Sequence, residues 1–496
     1  MNVLLVYLDM PVKSGIPLSL AYVAAVLRER GDSVNIVDLR YQKNKEIYNL
    51  LSLNKYGIVG VYSSSEVALD AINLAKALKP QLNDSVLVVG GPHATIDPGF
   101  FLDAFDVVVK GEGEKTILEL AEKIEKKKAF SNVKGIVFKR KNKLIDTGKQ
   151  DYIKNLDDLP FPAYDLFPNF EESLIKDTWW AFCHPACGML VSRGCPYRCT
   201  FCQPTLEMMF GTKIRRMSPK RIVEHMKFLK EKYKIKEIYF HDDLLLHIAW
   251  RKWFYELADL MIKEKVDLIW TGQVRANSTD IEMLKKAKSC GCYGVTCGVE
   301  SGSEKVLDFY NKQAKPEDVI KLFSDCKKLG LTATAAIIFG APVETIEEAN
   351  KTVELVKKIK PDGVSTNILT PYPGTYICTW LENNNILYEK GLGKITRAVQ
   401  HQKIKGPLSN DQLLDFMYSI ELMAPSLKYI IIRPYYRKVY FRKLWNLISR
   451  KEYKNSFRFI VSTFTQPFMN KIKKYYFKRG NKSKLIVSAK KLISNS

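Results

Sequence analysis

The sequence predicts an α/β protein built in two successive units, a doubly wound Rossmann-like sheet and then a partial (β/α)6 TIM barrel, followed by a mostly helical, basic carboxyl-terminal region. Three observations predict it. Short β-branched runs alternate with helical stretches through the first 150 residues, a second alternating series begins near residue 190, and a proline-punctuated segment separates the two. The expected boundaries are 1–150 for the first unit, 151–180 for a linker, 181–390 for the barrel and 391–496 for the carboxyl-terminal region.

In the first unit Val3 to Tyr7, Val34 to Val37, Ile58 to Val61, Val86 to Val89 and Val107 to Val109 read as strands, with Leu18 to Arg30 and Ala68 to Leu78 among the helices between them. Sheets of this kind bind ligands beyond the carboxyl ends of their strands. Two glycine-rich loops stand at such ends, Gly90-Gly91-Pro92-His93-Ala94-Thr95 and Gly111-Glu112-Gly113-Glu114. Glycine there lets a ligand approach the backbone closely, and it equally suits a tight strand-to-helix turn. The stretch from Asn155 to Pro168, with prolines at 160, 162 and 168, suits a linker wrapped on the surface. Beyond it, Met189 to Ser192, Ile238 to Phe240, Leu268 to Thr271, Gly294 to Val299, Ala333 to Phe339 and Val364 to Leu369 supply six strands. A barrel of that kind places its active site at the carboxyl ends of the strands.

With 46% hydrophobic and 26% charged residues the chain has the composition of a soluble globular protein, which excludes a disordered one. No run approaches the roughly 18 apolar residues that span a bilayer. Met1 to Leu8 lacks a cationic leader, so a cytoplasmic location is expected. All ten cysteines lie between positions 183 and 378, a clustering that points to metal chemistry in a reducing compartment rather than to a disulfide framework.

The most informative stretch is Ser192-Arg193-Gly194-Cys195-Pro196-Tyr197-Arg198-Cys199-Thr200-Phe201-Cys202. Thiolates are the ligands of iron–sulfur clusters. A structural zinc site usually takes four ligands in paired clips, and only one such clip, Cys199 with Cys202, is present. The C-x3-C-x2-C spacing resembles the radical S-adenosylmethionine signature. Upstream stand Pro17-Leu18-Ser19-Leu20-Ala21-Tyr22, a G-G-x-H-x-T loop and G-E-G-E, and with them residues 1 to 390 resemble the cobalamin-binding radical enzymes of the methyltransferase and cyclase type.

The resemblance implies a chemistry and a set of sites. Cys195, Cys199 and Cys202 would hold three irons of a 4Fe-4S cube, leaving the fourth iron for S-adenosylmethionine, whose reductive cleavage yields a 5′-deoxyadenosyl radical. Cobalamin would lie against Gly90, Gly91, His93, Thr95, Gly111 and Gly113. The D-x-H-x-x-G motif that supplies an axial histidine elsewhere is absent, so no such ligand is expected, and His93 is equally a turn residue. Asp243, rather than its neighbour Asp242, would accept from the methionine amine. Arg275 would pair with the carboxylate. Glu300 and Ser301 would take the ribose hydroxyls, and the Gly340 to Glu344 segment would lie near adenine. For each charged group the competing role is a barrel-rim salt bridge. Tyr372, in Thr370-Pro371-Tyr372-Pro373-Gly374-Thr375, is a candidate to face the substrate. Cys183 and Cys187 read as plain thiols in preference to a second metal site or a cap on the entrance. Cys290, Cys292, Cys297, Cys326 and Cys378 read as small buried side chains.

The charge is uneven. Residues 426–496 hold 19 Lys and Arg against one acid, Glu452, and so carry +18 of the net +24. Tyr436, Val439, Tyr440, Leu444, Leu447 and Ile448 recur there at helical spacing among Arg437, Lys438, Arg442, Lys443, Arg450 and Lys451. That pattern describes a basic amphipathic helix able to make peripheral contact with an anionic membrane, or to pack on the barrel with its basic face in water. Phosphate of nucleic acid attracts the same charge, but the additional domains of the tRNA-modifying radical enzymes are not visible and nucleic acid is not an expected partner. The expected function is cobalamin-dependent methyl transfer to an unactivated carbon of a hydrophobic, lipid-like small molecule, with flavodoxin or ferredoxin as electron donor. An oxidative cyclase is the alternative within the same architecture, and a non-catalytic cobalamin or metal sensor the alternative of another class.

Overall fold

The computed structural model describes residues 1–10, 15–82, 84–176, 181–387, 404–421 and 423. The basic amphipathic helix expected from 436 to 451 lies outside the described residues. The first unit runs β1 (Asn2–Tyr7), α1 (Leu18–Glu29), β2 (Ser33–Asp38), α2 (Lys45–Leu53), β3 (Ile58–Tyr62), α3 (Ala68–Leu78), β4 (Val86–Gly90), α4 (Pro92–Ile96), β5 (Val107–Val109), α5 (Gly113–Glu125), β6 (Ile136–Arg140) and β7 (Lys143–Asp146). Its sheet has the order β2-β1-β3-β4-β5-β6-β7, and the first five strands are parallel. Alternate side chains fill two cores, Val3, Leu5, Ile58 and Val88 toward α1 and α5, and Leu4, Val6, Val59 and Val61 toward α3. Burial on both faces is why these strands read as unbroken β-branched runs. The antiparallel pair β6 and β7 escaped the sequence reading, because the short buried run Ile136 to Phe138 passes straight into the exposed Lys139, Arg140, Lys143 and Leu144.

After α6 (Phe170–Lys176) the second unit runs β8 (Ala186–Met189), β9 (Ser192–Arg193), α7 (Thr205–Phe210), β10 (Arg215–Arg216), α8 (Pro219–Tyr233), β11 (Glu237–Phe240), α9 (Arg251–Lys263), β12 (Ile269–Val274), α10 (Ile281–Ser289), β13 (Cys292–Glu300), α11 (Glu304–Phe309), α12 (Pro316–Leu329), β14 (Thr332–Phe339), α13 (Ile346–Ile359), β15 (Gly363–Ile368) and α14 (Tyr376–Asn383), with α15 (Asn410–Glu421) packed against β15 and α13. Six parallel strands form one open sheet in the order β15-β14-β13-β12-β11-β8, the expected partial barrel. Ser218, Asp280, Ser303, Thr345 and Thr375 cap α8, α10, α11, α13 and α14 by accepting a backbone N–H. The first barrel strand differs from expectation. It ends at Met189, and Ser192 and Arg193 instead pair antiparallel with β10, since the Asp242 carboxylate takes the Val191 N–H at 3.2 Å and the Ser192 hydroxyl.

The segment read as a surface linker is interior. Leu156, Leu159, Ala163, Tyr164 and Phe167 are buried in a core that runs through both units. The Ala163 N–H donates to the Ala21 carbonyl at 3.0 Å on one side, and Tyr164 Oη meets His225 Nε2 of α8 at 2.9 Å on the other. Prolines shape the segment, but the Leu, Tyr and Phe between them are too apolar to stay in water, so it serves as mortar. Replacing Tyr164 with Ala should cost about 3–5 kcal/mol in denaturant unfolding. An unchanged midpoint would return the segment to the surface.

Candidate active site

The three signature cysteines lie on the loop between β9 and α7, with Cys199 buried and Cys195 and Cys202 partly exposed. The Cys199 carbonyl accepts the N–H groups of Cys202 (3.1 Å) and Gln203 (2.9 Å), which tightens the turn. The loop is pinned from outside by Thr200 N–H to the Tyr310 carbonyl (2.9 Å), Ile377 N–H to the Thr200 carbonyl (3.0 Å) and Tyr376 N–H to the Gln203 carbonyl (2.7 Å). Gly194 has φ of +99°, and a Cβ there would stand 2.7 Å from the Lys213 carbonyl oxygen, so only glycine fits. Burial pushes the Cys195 and Cys202 thiols up, so loading with iron must displace protons. An all-thiol donor set suits an iron–sulfur cube. Among the described residues no three His, Cys, Asp or Glu side chains are grouped to hold a single ion.

Adjacent aspartates at the end of β11 have opposite fates. Asp242 is fully buried and holds the Val191–Ser192 turn, and burial pushes its pKa up to about 7. Asp243 is exposed within a concave wall of protein, which raises its pKa to about 6 while leaving the carboxylate reachable. Arg275 is 6% exposed, lies 3.7 Å above the Tyr197 ring centroid, and donates from Nη1 to Cys199 Sγ at 3.4 Å, while Nε and Nη2 are buried without a partner. Orphaned guanidinium donors at this point fit a carboxylate-bearing ligand.

Other expected contacts are already spent. Glu300, at φ +61°, pairs with buried Lys312 at 2.7 Å, a residue that nothing in the sequence marks out among 77 Lys and Arg. Ser301 Oγ is fully buried, lies 3.0 Å from Thr352 Oγ1 and accepts the Ser303 N–H, so it is a loop brace and not a ribose acceptor. Gly340, at φ +95°, donates its N–H to Glu344 Oε2 at 2.5 Å. The other carboxyl oxygen of Glu344 has no partner, and burial raises the pKa to about 7. Cys183 lies at the opposite, amino-terminal end of the barrel, where its N–H donates to Glu237 at the start of β11, so it does not cap the entrance. Cys187 is buried within β8.

A cavity of about 300 Å³ opens where the two units meet. Gly60, Gly90, Gly91, Gly111 and Gly113 line it together with Tyr22 and Val23 of α1, while Leu190, Arg193, Leu206, Met209 and Phe210 close it from the barrel side. At Gly91, φ is +116° and a Cβ would lie 2.6 Å from the Ser63 carbonyl oxygen. Such a glycine cradle with apolar walls fits a bulky ligand pressed against backbone. Thr95 Oγ1 ties the two glycine loops together, donating to the Gly91 carbonyl (3.0 Å) and accepting the Gly111 N–H (2.9 Å). His93 is a correction. It is fully buried against Phe100 and Phe101, bonded to Ser65 Oγ at 3.1 Å, and is not among the cavity walls.

The G-E-G-E loop turns its acids toward the barrel. Arg193 binds Glu114 at 2.6 Å and Glu112 at 3.2 Å, Arg215 binds Glu112 at 2.8 Å, and Arg193 also faces the Tyr22 ring. Sequence reading missed this pairing, because the partners are 79 to 103 residues apart. Tyr372 is also engaged elsewhere: its hydroxyl donates to Glu66 Oε1 of the first unit at 3.1 Å, rather than standing free for a substrate.

Two outcomes follow from these charges. Arg193→Ala leaves Glu112 and Glu114 undercompensated and should cost about 3–5 kcal/mol of stability, read by chemical denaturation. A carboxyl with a higher pKa folded than unfolded takes up a proton on folding, so Glu344 adds full stability below about pH 4.3 and progressively less as pH rises to about 7. Glu344→Gln should therefore flatten the fall in melting temperature across that window. An equally steep fall in both proteins would refute the assignment.

A parallel-sheet unit with a glycine-lined cavity, joined to a six-stranded partial barrel bearing three cysteines at its mouth, is the architecture that the sequence resemblance implies for a radical enzyme with a cobalamin-type domain. Residues 6–121 match the B12 binding domain and residues 189–356 the Radical SAM superfamily. An uncharacterized methyltransferase of Pyrococcus horikoshii is 33% identical over 398 residues, spanning 79% of this chain and 84% of its own. The hopanoid C-3 methylase of Methylococcus capsulatus is 26% identical over 368 residues, 72% of this chain and 67% of its own. The fold is shared with the radical S-adenosylmethionine methyltransferase TsrM from Kitasatospora setae, solved with cobalamin and a 4Fe-4S cluster, at TM-score 0.62 and 18% identity over 77% of this chain and 75% of that one. It is shared also with the cobalamin-dependent radical enzyme OxsB, at TM-score 0.63 and 18% identity over 84% of this chain and 60% of that one. The chain belongs to the cobalamin-binding radical S-adenosylmethionine enzymes.

Proposed function

We propose that this enzyme transfers a methyl group to an unactivated carbon of a hydrophobic, lipid-like substrate, with a 4Fe-4S cluster on Cys195, Cys199 and Cys202, S-adenosylmethionine at the barrel mouth and cobalamin in the glycine-lined cavity. One observation carries the reading. Both flanks of the cysteine loop, Leu190 and Arg193 before it and Thr205, Leu206, Met209 and Phe210 after it, are walls of that cavity, so the two cofactor sites share a partition. When bound, the cluster with S-adenosylmethionine supplies a hydrogen-abstracting radical and cobalamin supplies the methyl group.

The chain's own residues then bind and orient. Asp243, mostly ionised at neutral pH and reachable from the mouth, accepts from the methionine ammonium, which favours its charged form further. The unpartnered donors of Arg275 take the methionine carboxylate. Glu344 holds the Gly340 turn in shape, and that segment would lie near the adenine when S-adenosylmethionine is bound. Leu206, Met209 and Phe210 keep water from the partition.

Support for a hydrophobic substrate comes from relatives. Besides the hopanoid methylase, a bacteriochlorophyllide d methyltransferase of Chlorobaculum tepidum is 24% identical over 80% of this chain. The basic stretch 426–496 adds a means of reaching anionic membrane, at about 1 kcal/mol per Lys or Arg near the surface. No helix among the described residues is long and apolar enough to cross a membrane. The reading therefore places the enzyme in the cytoplasm, against the inner face, with a low-potential carrier such as flavodoxin or ferredoxin supplying electrons. Ring closure is the second reading, favoured by an anaerobic magnesium-protoporphyrin IX monomethyl ester cyclase of Cereibacter sphaeroides that is 24% identical over 80% of this chain.

The test is anaerobic reconstitution with iron, sulfide and cobalamin, followed by S-adenosylmethionine, dithionite and a total lipid extract. Wild type should form 5′-deoxyadenosine and methylated lipid, and Cys199→Ala neither. A fully loaded cluster that leaves S-adenosylmethionine intact would instead favour a sensor.

A further inference from the structure

We infer that Arg275 tunes the cluster as well as holding its cosubstrate: clamped on the face of Tyr197, it donates an N–H to Cys199 Sγ and raises the cluster's reduction potential. The inference rests on the reading above that these cysteines carry a cluster. Among the described residues the side-chain hydrogen bond of Arg275 goes to that sulfur, and no carboxylate pairs with it. A rim salt bridge, the ordinary role for a buried arginine, is thereby set aside.

The guanidinium is held by a relay of contacts. Ala249 donates its N–H to His247 Nδ1 at 3.0 Å, which fixes the proton of the neutral ring on Nε2. That nitrogen lies 3.2 Å from Tyr197 Oη, to which it donates, and the His247 ring stacks on Trp250 with centroids 4.5 Å apart. Tyr197 is thus fixed from behind, and Arg275 lies flat on its front face, at 3.7 Å from the centroid. On the Arg275 backbone the N–H donates to Ser278 Oγ at 3.2 Å. The side chain has little freedom to leave the sulfur.

One-electron reduction by the carrier adds negative charge that spreads over the cube and its thiolates. A hydrogen bond and a positive charge beside one of those sulfurs favour the reduced form, and hydrogen bonds to sulfur are among the determinants of cluster potential. Burial strengthens the effect, because water screens the pair poorly at 6% exposure.

The experiment uses the full chain, reconstituted without oxygen and studied without S-adenosylmethionine or cobalamin, so that turnover plays no part. Midpoint potentials come from titration with low-potential mediators, followed by paramagnetic resonance of the reduced cluster, and iron–cysteine stretching frequencies from resonance Raman. Arg275→Met should move the potential to more negative values and the stretch upward, with Arg275→Lys between it and wild type. Tyr197→Leu, which keeps the donor and removes its platform, should shift both in the same direction by less. Wild-type potential and stretch in Arg275→Met holding full iron and sulfide would overturn the inference. If that variant holds no cluster, wild-type values in Tyr197→Leu would overturn it instead. A wild-type chain that assembles no cluster would strike the proposed function itself, which separates the two failures.

Discussion

Four charges buried where the two units meet set the geometry of everything else. Arg193 and Arg215 face Glu112 and Glu114 across the boundary, and three of the four side chains are less than a tenth exposed. Taking ions out of water is costly unless each finds its partners, so the set is tolerated only in one register of one unit against the other. Arg193 stands two residues before Cys195, and Glu112 and Glu114 belong to the loop that borders the glycine-lined cavity. The same contact that docks the units therefore fixes the separation of the two cofactor sites. The interior linker reinforces it, joining α1 to α8 through Ala163 and Tyr164.

Around the barrel mouth, burial sorts chemically similar groups into different jobs. Asp242 and Asp243 are neighbours in sequence, yet one is buried on the Val191–Ser192 turn ahead of the cysteine loop and the other is exposed. Glu300 is neutralised by Lys312, whereas Arg275 has no carboxylate at all and turns to a sulfur. Glu344 spends one oxygen on the Gly340 N–H and keeps the other unpaired. Buried groups left without partners are expensive, and the two open donors of Arg275 beside Cys199 are what a pocket awaiting a charged ligand should present.

Much of the fold was legible from local pattern. Parallel strands buried on both faces must be apolar throughout, so most of their positions stood out, whereas the half-exposed hairpin β6 and β7 and the short polar pair β9 and β10 did not. The cysteine loop was legible because three thiols at fixed spacing carry their chemistry with them. Ser301 and Tyr372 were misjudged, and Glu300 took its competing role of a salt bridge, for a shared reason. Each lies at the end of the expected strand, but the partner that occupies it, Thr352, Lys312 or Glu66, is distant in sequence or unremarkable in type. His93 went the same way, turned into a nest of Phe100 and Phe101 that spacing alone does not reveal.

By itself, then, the sequence determined the two-unit α/β architecture, the position of the cysteine loop and the glycines that open the first unit to a ligand, because periodicity, thiol spacing and steric need are local properties. Only the tertiary structure decided which polar groups remain available, since availability depends on partners brought together across as many as 306 residues of chain. It turned the linker inward, paired the acids of the G-E-G-E loop with Arg193 and Arg215, and set an arginine guanidinium against a cysteine sulfur. Those placements come from the packing of apolar surfaces, which fixes the backbone first and leaves each charge to find its partner among the side chains that packing brings near.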